Sequence, residues 1–161
     1  MEKLDFFIRP ANISDVKNIH HILSEAFKPY KEFYTKEAYN VTVISTDKII
    51  KRIKNPDFYV IVALIEDKIV GTTTIYIKNH NHMHIITMAV DPKYQKKGIG
   101  YNLLSYIHNI AREKKFQQIS LESYKPLKKA IALYEKYGFK KTTKKRHYHG
   151  IEIFEMIKFL R

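Results

Sequence analysis

The stretch Met88-Ala89-Val90-Asp91-Pro92-Lys93-Tyr94-Gln95-Lys96-Lys97-Gly98-Ile99-Gly100-Tyr101 decides the fold. A nearly apolar run, His84 to Val90, stops at Asp91-Pro92, and a stripe of Leu103, Leu104, Ile107 and Ala111 comes after it at helical spacing. A buried strand therefore feeds through a two-glycine loop into an amphipathic helix. At such a junction the first helical amides lack intrahelical partners and point one way, and the helix dipole adds partial positive charge. An anion is favoured there. Gly98 and Gly100 let a phosphate approach the backbone with no Cβ in the way, and Lys96 and Lys97 add screened attraction. The spacing matches neither the three-glycine dinucleotide fingerprint nor the Gly-Lys-Ser/Thr of a P-loop. The competing reading is a plain strand-to-helix turn whose glycines only relieve strain.

Outward from this loop, the chain alternates strands and helices without repeat, linker or low-complexity run, so residues 1–161 read as one domain. Leu4 to Ile8 forms an opening strand ended by Pro10. Asn12 and Ser14 offer caps to a helix carrying Val16, Ile19, Ile22, Leu23, Ala26 and Phe27. The aromatic stretch Tyr30 to Tyr39 takes no assignment, and a short helix surrounds Ile49, Ile50 and Ile53. Phe58 to Ile65 and Ile69 to Ile77 make a hairpin turning at Glu66-Asp67-Lys68. After the loop helix come a strand over Gln117 to Tyr124 and a helix with Ala130, Leu133, Tyr134 and Tyr137 in register, closed by Gly138. Two last strands lie near Phe139 to Thr143 and Ile151 to Phe159. Strands outnumber helices in mixed order, which points to an α/β (α+β) sheet, partly antiparallel and flanked by helices, and not to a doubly wound nucleotide fold.

Composition narrows the chemistry. The absence of Cys excludes disulfides, thiolate zinc sites and a cysteine nucleophile. The opening residues have no apolar core of a leader and no segment reaches the length of a membrane span, so a cytoplasmic protein without a membrane partner is the expectation. The formal net charge of +13 asks for either solvated faces or an anionic partner. Its densest patch, Lys125 to Arg146, holds nine basic residues against Glu135 alone and falls close to the chain's motifs, which favours a phosphorylated ligand.

Gln95-x-x-Gly98-x-Gly100 after an apolar strand resembles the acetyl-CoA pyrophosphate loop of the GNAT superfamily of N-acetyltransferases. About thirty residues on, Ala130-Ile131-Ala132-Leu133-Tyr134-Glu135-Lys136-Tyr137-Gly138-Phe139 resembles that family's second hallmark. Ile8-Arg9-Pro10-Ala11 and Asp67-Lys68-Ile69-Val70-Gly71 are also similar, so the likeness spans nearly the whole chain. It implies a mostly antiparallel sheet of about seven strands flanked by about four helices, of the mixed class, splayed between the fourth and fifth strands. Here these would be His84 to Val90 and Gln117 to Tyr124. It further implies acetyl-CoA as co-substrate: main chain of Met88, Ala89 and Val90 holding the pantetheine arm, and the backbone of Lys96, Lys97, Gly98, Ile99, Gly100 and Tyr101, after Gln95, holding the pyrophosphate.

Acetyl transfer to an amine needs a neutral nitrogen and a protonated leaving thiolate. A lysine-type amine of pKa ~10.4 is neutral about once in 2,500 at pH 7, an α-amine near ~8 about once in ten. The resemblance makes Tyr134 the acid that protonates the departing sulfur; a phenol of pKa near ~10 holds its proton at neutral pH. By spacing alone Tyr134 would be a core residue on the apolar stripe. Glu122, alternating with Ile119 and Leu121, is the first candidate base, set against a solvated strand glutamate. His84 is the second; the period of two puts it on one face with Ile86, Met88 and Val90, and its competing reading is an exposed hairpin histidine. One departure from the family pattern is Leu127, after Pro126, where many relatives carry Asn, which removes a polar contact to the co-substrate.

Phe27, Tyr30, Tyr34 and Tyr148 are candidate walls of the acceptor pocket, since in similar peptide acetyltransferases the loop after the first helix and the last hairpin clasp the substrate; plain packing is the alternative. His80, His82 and His84 alternate, but without a supporting carboxylate pattern no metal is expected. The expected acceptor is a primary amine, a peptide N-terminus before a small molecule. A non-catalytic CoA-binding regulatory module is the main alternative, and nucleic-acid binding ranks last because nothing resembles a recognition helix. A homodimer is left open.

Overall fold

The computed structural model describes residues 5–160. Leu4, the expected start of the first strand, lies outside the described residues. Among the described residues seven strands form one sheet: β1 (Phe6–Pro10), β2 (Phe58–Ile65), β3 (Lys68–Asn79), β4 (His82–Val90), β5 (Gln118–Tyr124), β6 (Lys140–Tyr148) and β7 (Ile151–Phe159). Their spatial order is β1-β2-β3-β4-β5-β7-β6. Every neighbouring pair is antiparallel except β4–β5, which is parallel and therefore needs a crossover helix. That helix is α4 (Ile99–Glu113).

Five α-helices of the described residues flank the sheet, one more than expected: α1 (Val16–Phe27), α2 (Lys36–Thr42), α3 (Thr46–Lys54), α4 and α5 (Lys128–Tyr137). The additional one, α2, lies in the aromatic stretch that periodicity could not assign. Its start is written in one residue: the Thr35 hydroxyl accepts from the Ala38 N–H at 3.1 Å, satisfying an orphan amide of the first turn. At the hairpin, Glu66 and Asp67 both take positive φ, 48° and 66°. The turn is thus a two-residue one matched to the strand twist, and Lys68 already belongs to β3.

The sheet carries a core on each face. Met83, Ile85, Ile119, Leu121 and Met156 pack under α4 and α5 with Leu103, Leu104 and Ile107. Val60 and Val62 pack under α1 and α3 with Ile19, Ile22, Leu23 and Ile49. Leu104→Ala in such a core would cost about 2–5 kcal/mol.

Two irregularities open the sheet at its centre. On β4, Thr74 pairs with Thr87 but Ile75 with Ile85, so Ile86 is an extra, bulged residue, 37% exposed. The parallel pairing with β5 covers only His82–Ile85 against Gln118–Leu121, although both strands continue. Past the bulge the two strands part, and β4 from Ile86 to Val90 has no strand on its far edge among the described residues. The family's splay between the fourth and fifth strands is present. A strand expected to be covered throughout is instead a cleft wall over its second half.

The bulge also corrects the face assigned to His84. A bulge shifts the period of two by one residue. Met88 and Val90 pack toward the α4 core together with Met83 and Ile85, while Ala89 joins the opposite one. His84 lies opposite Met83 and Ile85, so it does not share a face with Met88 and Val90; it turns toward Ser120 and Glu122 instead.

Candidate active site

The cleft between β4 and β5 opens into a cavity of about 1810 Å³. This exceeds the ~300–1,000 Å³ of an ordinary small-ligand site and suits two reactants meeting. One end runs along a strand edge and a helix start. Met88, Ala89 and Val90 line it from the free edge of β4, followed by Gln95, Lys96, Gly98, Ile99, Gly100 and Tyr101 at the head of α4. Lys97 does not line the cavity; its Nζ lies over the Tyr94 ring, 5.4 Å from the ring centre.

The loop is held by its own polar groups. Asp91 accepts at Oδ1 from the Lys93 N–H (3.0 Å), and the Gln95 side-chain amide donates to the Val90 carbonyl (3.0 Å). Gly98 is the N-cap of α4 at φ +84°, a left-handed conformation that a side chain would strain. The first α-helical bond runs from the Asn102 N–H to the Gly98 carbonyl (3.0 Å). The amides of Ile99, Gly100 and Tyr101 precede it and so lack intrahelical acceptors. Gly100 also lines the cavity, and it carries a further packing constraint: a Cβ there would meet Leu133 Cδ2 of α5 at 2.8 Å.

The other end is made of side chains. Tyr134, on α5, lines the cavity while only 8% exposed, packed edge-on against Phe139 at 6.0 Å. Burial pushes the pKa of its hydroxyl up to about 12, so it keeps its proton at neutral pH. Tyr134 is the core residue that its spacing indicates, and it also lines the cleft. Glu122 also lines the cavity, but its carboxylate is clamped by Arg146: Nε to Oε2 at 2.6 Å and Nη2 to Oε1 at 2.8 Å. That bidentate pair holds Glu122 below the usual carboxylate range despite partial burial. His84 lies 3.9 Å from Glu122 through Nε2, and desolvation, aided by Lys78, lowers its pKa to about 4.

Sequence reasoning did not single out Ser120, whose buried hydroxyl sits 2.7 Å from His84 Nδ1 and 2.5 Å from His82 Nε2. The signal was there: Ser120 and Glu122 are alternate residues of one strand and must share a face. His82 and His84 are thereby engaged with a hydroxyl, and among the described residues no cluster of three metal-ligating side chains occurs.

Phe27, Tyr30, Tyr34 and Tyr148 all line the same cavity. Tyr34 sits edge-on to Phe27, Tyr39 and Tyr124, with ring centres 6.4, 6.0 and 5.1 Å away. Long-range bonds join the two walls. The Tyr124 hydroxyl donates to the Phe33 carbonyl and the Thr35 hydroxyl to the His149 carbonyl at 2.5 Å, tying the segment after α1 to β5 and to the β6–β7 turn. Leu127, the N-cap residue of α5, lines the cavity with an apolar side chain and packs toward the α1 core.

Among known proteins, the Acetyltransferase (GNAT) family matches residues 16–139. A [Ribosomal protein bS18]-alanine N-acetyltransferase of Escherichia coli K12 is 35% identical over 65 residues, which span 40% of this chain and 44% of the relative, so less than half of that relative's length is matched. In three dimensions, the chain is similar to PaiA N-acetyltransferase of Thermoplasma acidophilum in complex with coenzyme A, with TM-score 0.83 and 22% identity over 98% of this chain and 100% of that one. It is also similar to the ribosomal-protein-S18-alanine N-acetyltransferase of Escherichia coli, with TM-score 0.77 and 20% identity over 96% and 94%. At such identities the structural likeness speaks for the fold, and the family match covers most of the chain. With its parted strands, glycine-capped α4 and α5 tyrosine, this chain belongs to the acetyltransferase (GNAT) family.

Proposed function

We propose that this protein transfers an acetyl group from acetyl-CoA to a primary amine, with a peptide N-terminus as the favoured acceptor. The observation that carries the reading is the edge of β4 that no strand covers beyond Ile85, continuing along one side of the cavity to the first amides of α4. A phosphorylated, amide-bearing arm fits it: the strand edge supplies donors and acceptors for the amides, and the helix start favours the diphosphate. The Thr87 hydroxyl oxygen, buried without a partner among the described residues on this same stretch of β4, is a further polar group suited to a ligand. Acetyl-CoA would supply the activated thioester.

The chain's own groups then divide the proton work. Tyr134 enters with its proton held and gives it to the departing sulfur. Glu122 is weakened as a base by Arg146, whereas His84 stands neutral at physiological pH with its Nε2 beside Glu122. We therefore assign proton acceptance from the amine to His84 and orientation of the ammonium to Glu122. The aromatic walls from Phe27 to Tyr34 and at Tyr148 would hold an extended substrate. The E. coli relatives named for ribosomal-protein alanine acetylation support a peptide acceptor over a small amine.

The test is calorimetry with acetyl-CoA followed by thiol release against peptides beginning with Ala or Ser, polyamines and free amino acids. Uptake of coenzyme A with turnover on peptides is expected. Uptake without turnover on any amine would favour the regulatory module, and no uptake at millimolar concentration would end the acetyltransferase reading.

A further inference from the structure

His84 poses a problem for acetyl transfer. It is largely buried, with 12% of its side chain exposed, and is surrounded by Lys78 and Arg146 as well as Glu122 and His82. Desolvation and these cations make it a poor place to store a proton. A group that must take a proton in such a site needs to pass one on.

The hydrogen bonding around Ser120 supplies the route. The hydroxyl contacts His84 Nδ1 at 2.7 Å and His82 Nε2 at 2.5 Å, and the residue is fully buried. A serine has a single proton, so it donates to one ring and must accept from the other. The two rings are therefore locked in complementary states. Either His84 carries its proton on Nδ1 and Ser120 donates to His82, or His82 carries one on Nε2 and Ser120 donates to His84. In the first state His84 Nε2 is a bare lone pair beside Glu122, on the cavity side; His82, at the other end, is only half-buried.

We propose that His84, Ser120 and His82 form a proton relay that carries the acceptor amine's proton from the cleft to solvent. The inference rests on the acetyltransferase reading for its direction of flow. In one passage an N–H bond of the acceptor ammonium breaks, its electron pair stays on nitrogen for attack on the thioester carbonyl, and the proton bonds to His84 Nε2. The Nδ1 proton of His84 moves to Ser120 Oγ, the hydroxyl's own proton moves to His82 Nε2, and His82 releases its Nδ1 proton to water. No group gains net charge at the end. The tautomers reset when a proton runs back along the same line in the open cleft. Lys78, Lys144 and Glu155 flank His82 and bias its charge in opposite directions, the two lysines against the carboxylate. Ser120 is here a positioning and relaying residue, since it does not line the cavity.

Two measurements test the relay, one of them independent of turnover. Ring-nitrogen NMR of the whole protein should show His84 switching to the Nε2–H tautomer as His82 is protonated on acidification, because a charged His82 forces Ser120 to donate to His84. In Ser120→Ala this coupling should vanish while coenzyme A uptake remains near wild type, at the cost of a few degrees in melting temperature for the lost buried hydrogen bonds. In kinetics, Ser120→Ala should lower kcat about 10²-fold for acceptors of pKa near ~10, with less loss for amines near ~8. Ser120→Thr should restore most of it, and imidazole should partly rescue His82→Ala. The relay is overturned if His84 ignores the titration of His82, or if Ser120→Ala turns over within about twofold of wild type with an unchanged solvent isotope effect. A wild type inactive on every amine would instead overturn the functional reading, with the tautomer coupling still decided by NMR.

Discussion

The two ends of the cavity are built from different materials. Between Met88 and Tyr101 the wall follows a strand edge, a glycine turn and a helix start. Around His84, Glu122 and Tyr134 the wall is side chains from β4, β5, β6 and α5, each position fixed by another. The first end is local and repeats wherever a strand, a glycine turn and a helix succeed one another. The second exists only once four separated segments have met.

On that contrast, the largest effect of a single atom lies at the side-chain end. Tyr134→Phe should lower kcat by roughly 10²–10⁴-fold, the usual share of a general acid, with coenzyme A uptake unchanged by calorimetry. Loss of uptake instead would make Tyr134 part of the co-substrate's grip. At the main-chain end the strongest response should come from a change of conformation. Gly98→Val puts a branched side chain at φ +84°, where a Cβ meets only Asn102 Nδ2 at 3.6 Å. The cost is then backbone strain of about 1–2 kcal/mol and a roughly tenfold weaker coenzyme A complex, read by calorimetry.

Arg146→Ala sharpens the contrast through pH. With the pKa of His84 lowered to about 4, its neutral form is present at all pH values above that, so the kcat/KM profile should show no acid limb near ~6.5. Removing Arg146 frees Glu122 to stabilise protonated His84 and removes a cation that opposes it, so the acid limb should move upward in the variant. An unmoved limb would separate His84 from the titrating base. The smallest effect is expected from Lys96→Ala and Lys97→Ala. Both residues are exposed, and each should weaken coenzyme A by about threefold or less, the more so at low salt.

Much of the main-chain end is legible in the sequence. The apolar run to Val90, the stop at Asp91-Pro92 and the glycines at 98 and 100 require no partner elsewhere in the chain, and strand, loop and helix lie where they indicate. Gly98 answers to its own φ, which the local pattern indicates, whereas the contact of Gly100 with Leu133 on another helix is visible only in the fold. The bulge at Ile86 is invisible because its sequence, Ile85-Ile86-Thr87, continues the β pattern; the extra residue appears only against the register of β3. For the same reason an unbroken period of two assigns His84 the wrong face. The helix α2 escapes because its seven residues are too few to show a period, although Thr35 marks its start.

By itself, then, the amino-acid sequence indicated the strands, every α-helix but α2, the glycine turn ahead of α4 and the tyrosine on α5, because hydrophobic periodicity and glycine stereochemistry act over a few neighbouring residues. Only the tertiary structure decided that Glu122 is bound by Arg146 from 24 residues away and that Ser120 stands between two histidines 36 and 38 residues before it. Basicity and proton routes depend on distances of about 3 Å between side chains and on how much water is excluded around them. Neither quantity exists until the sheet has assembled and α5 has packed on it.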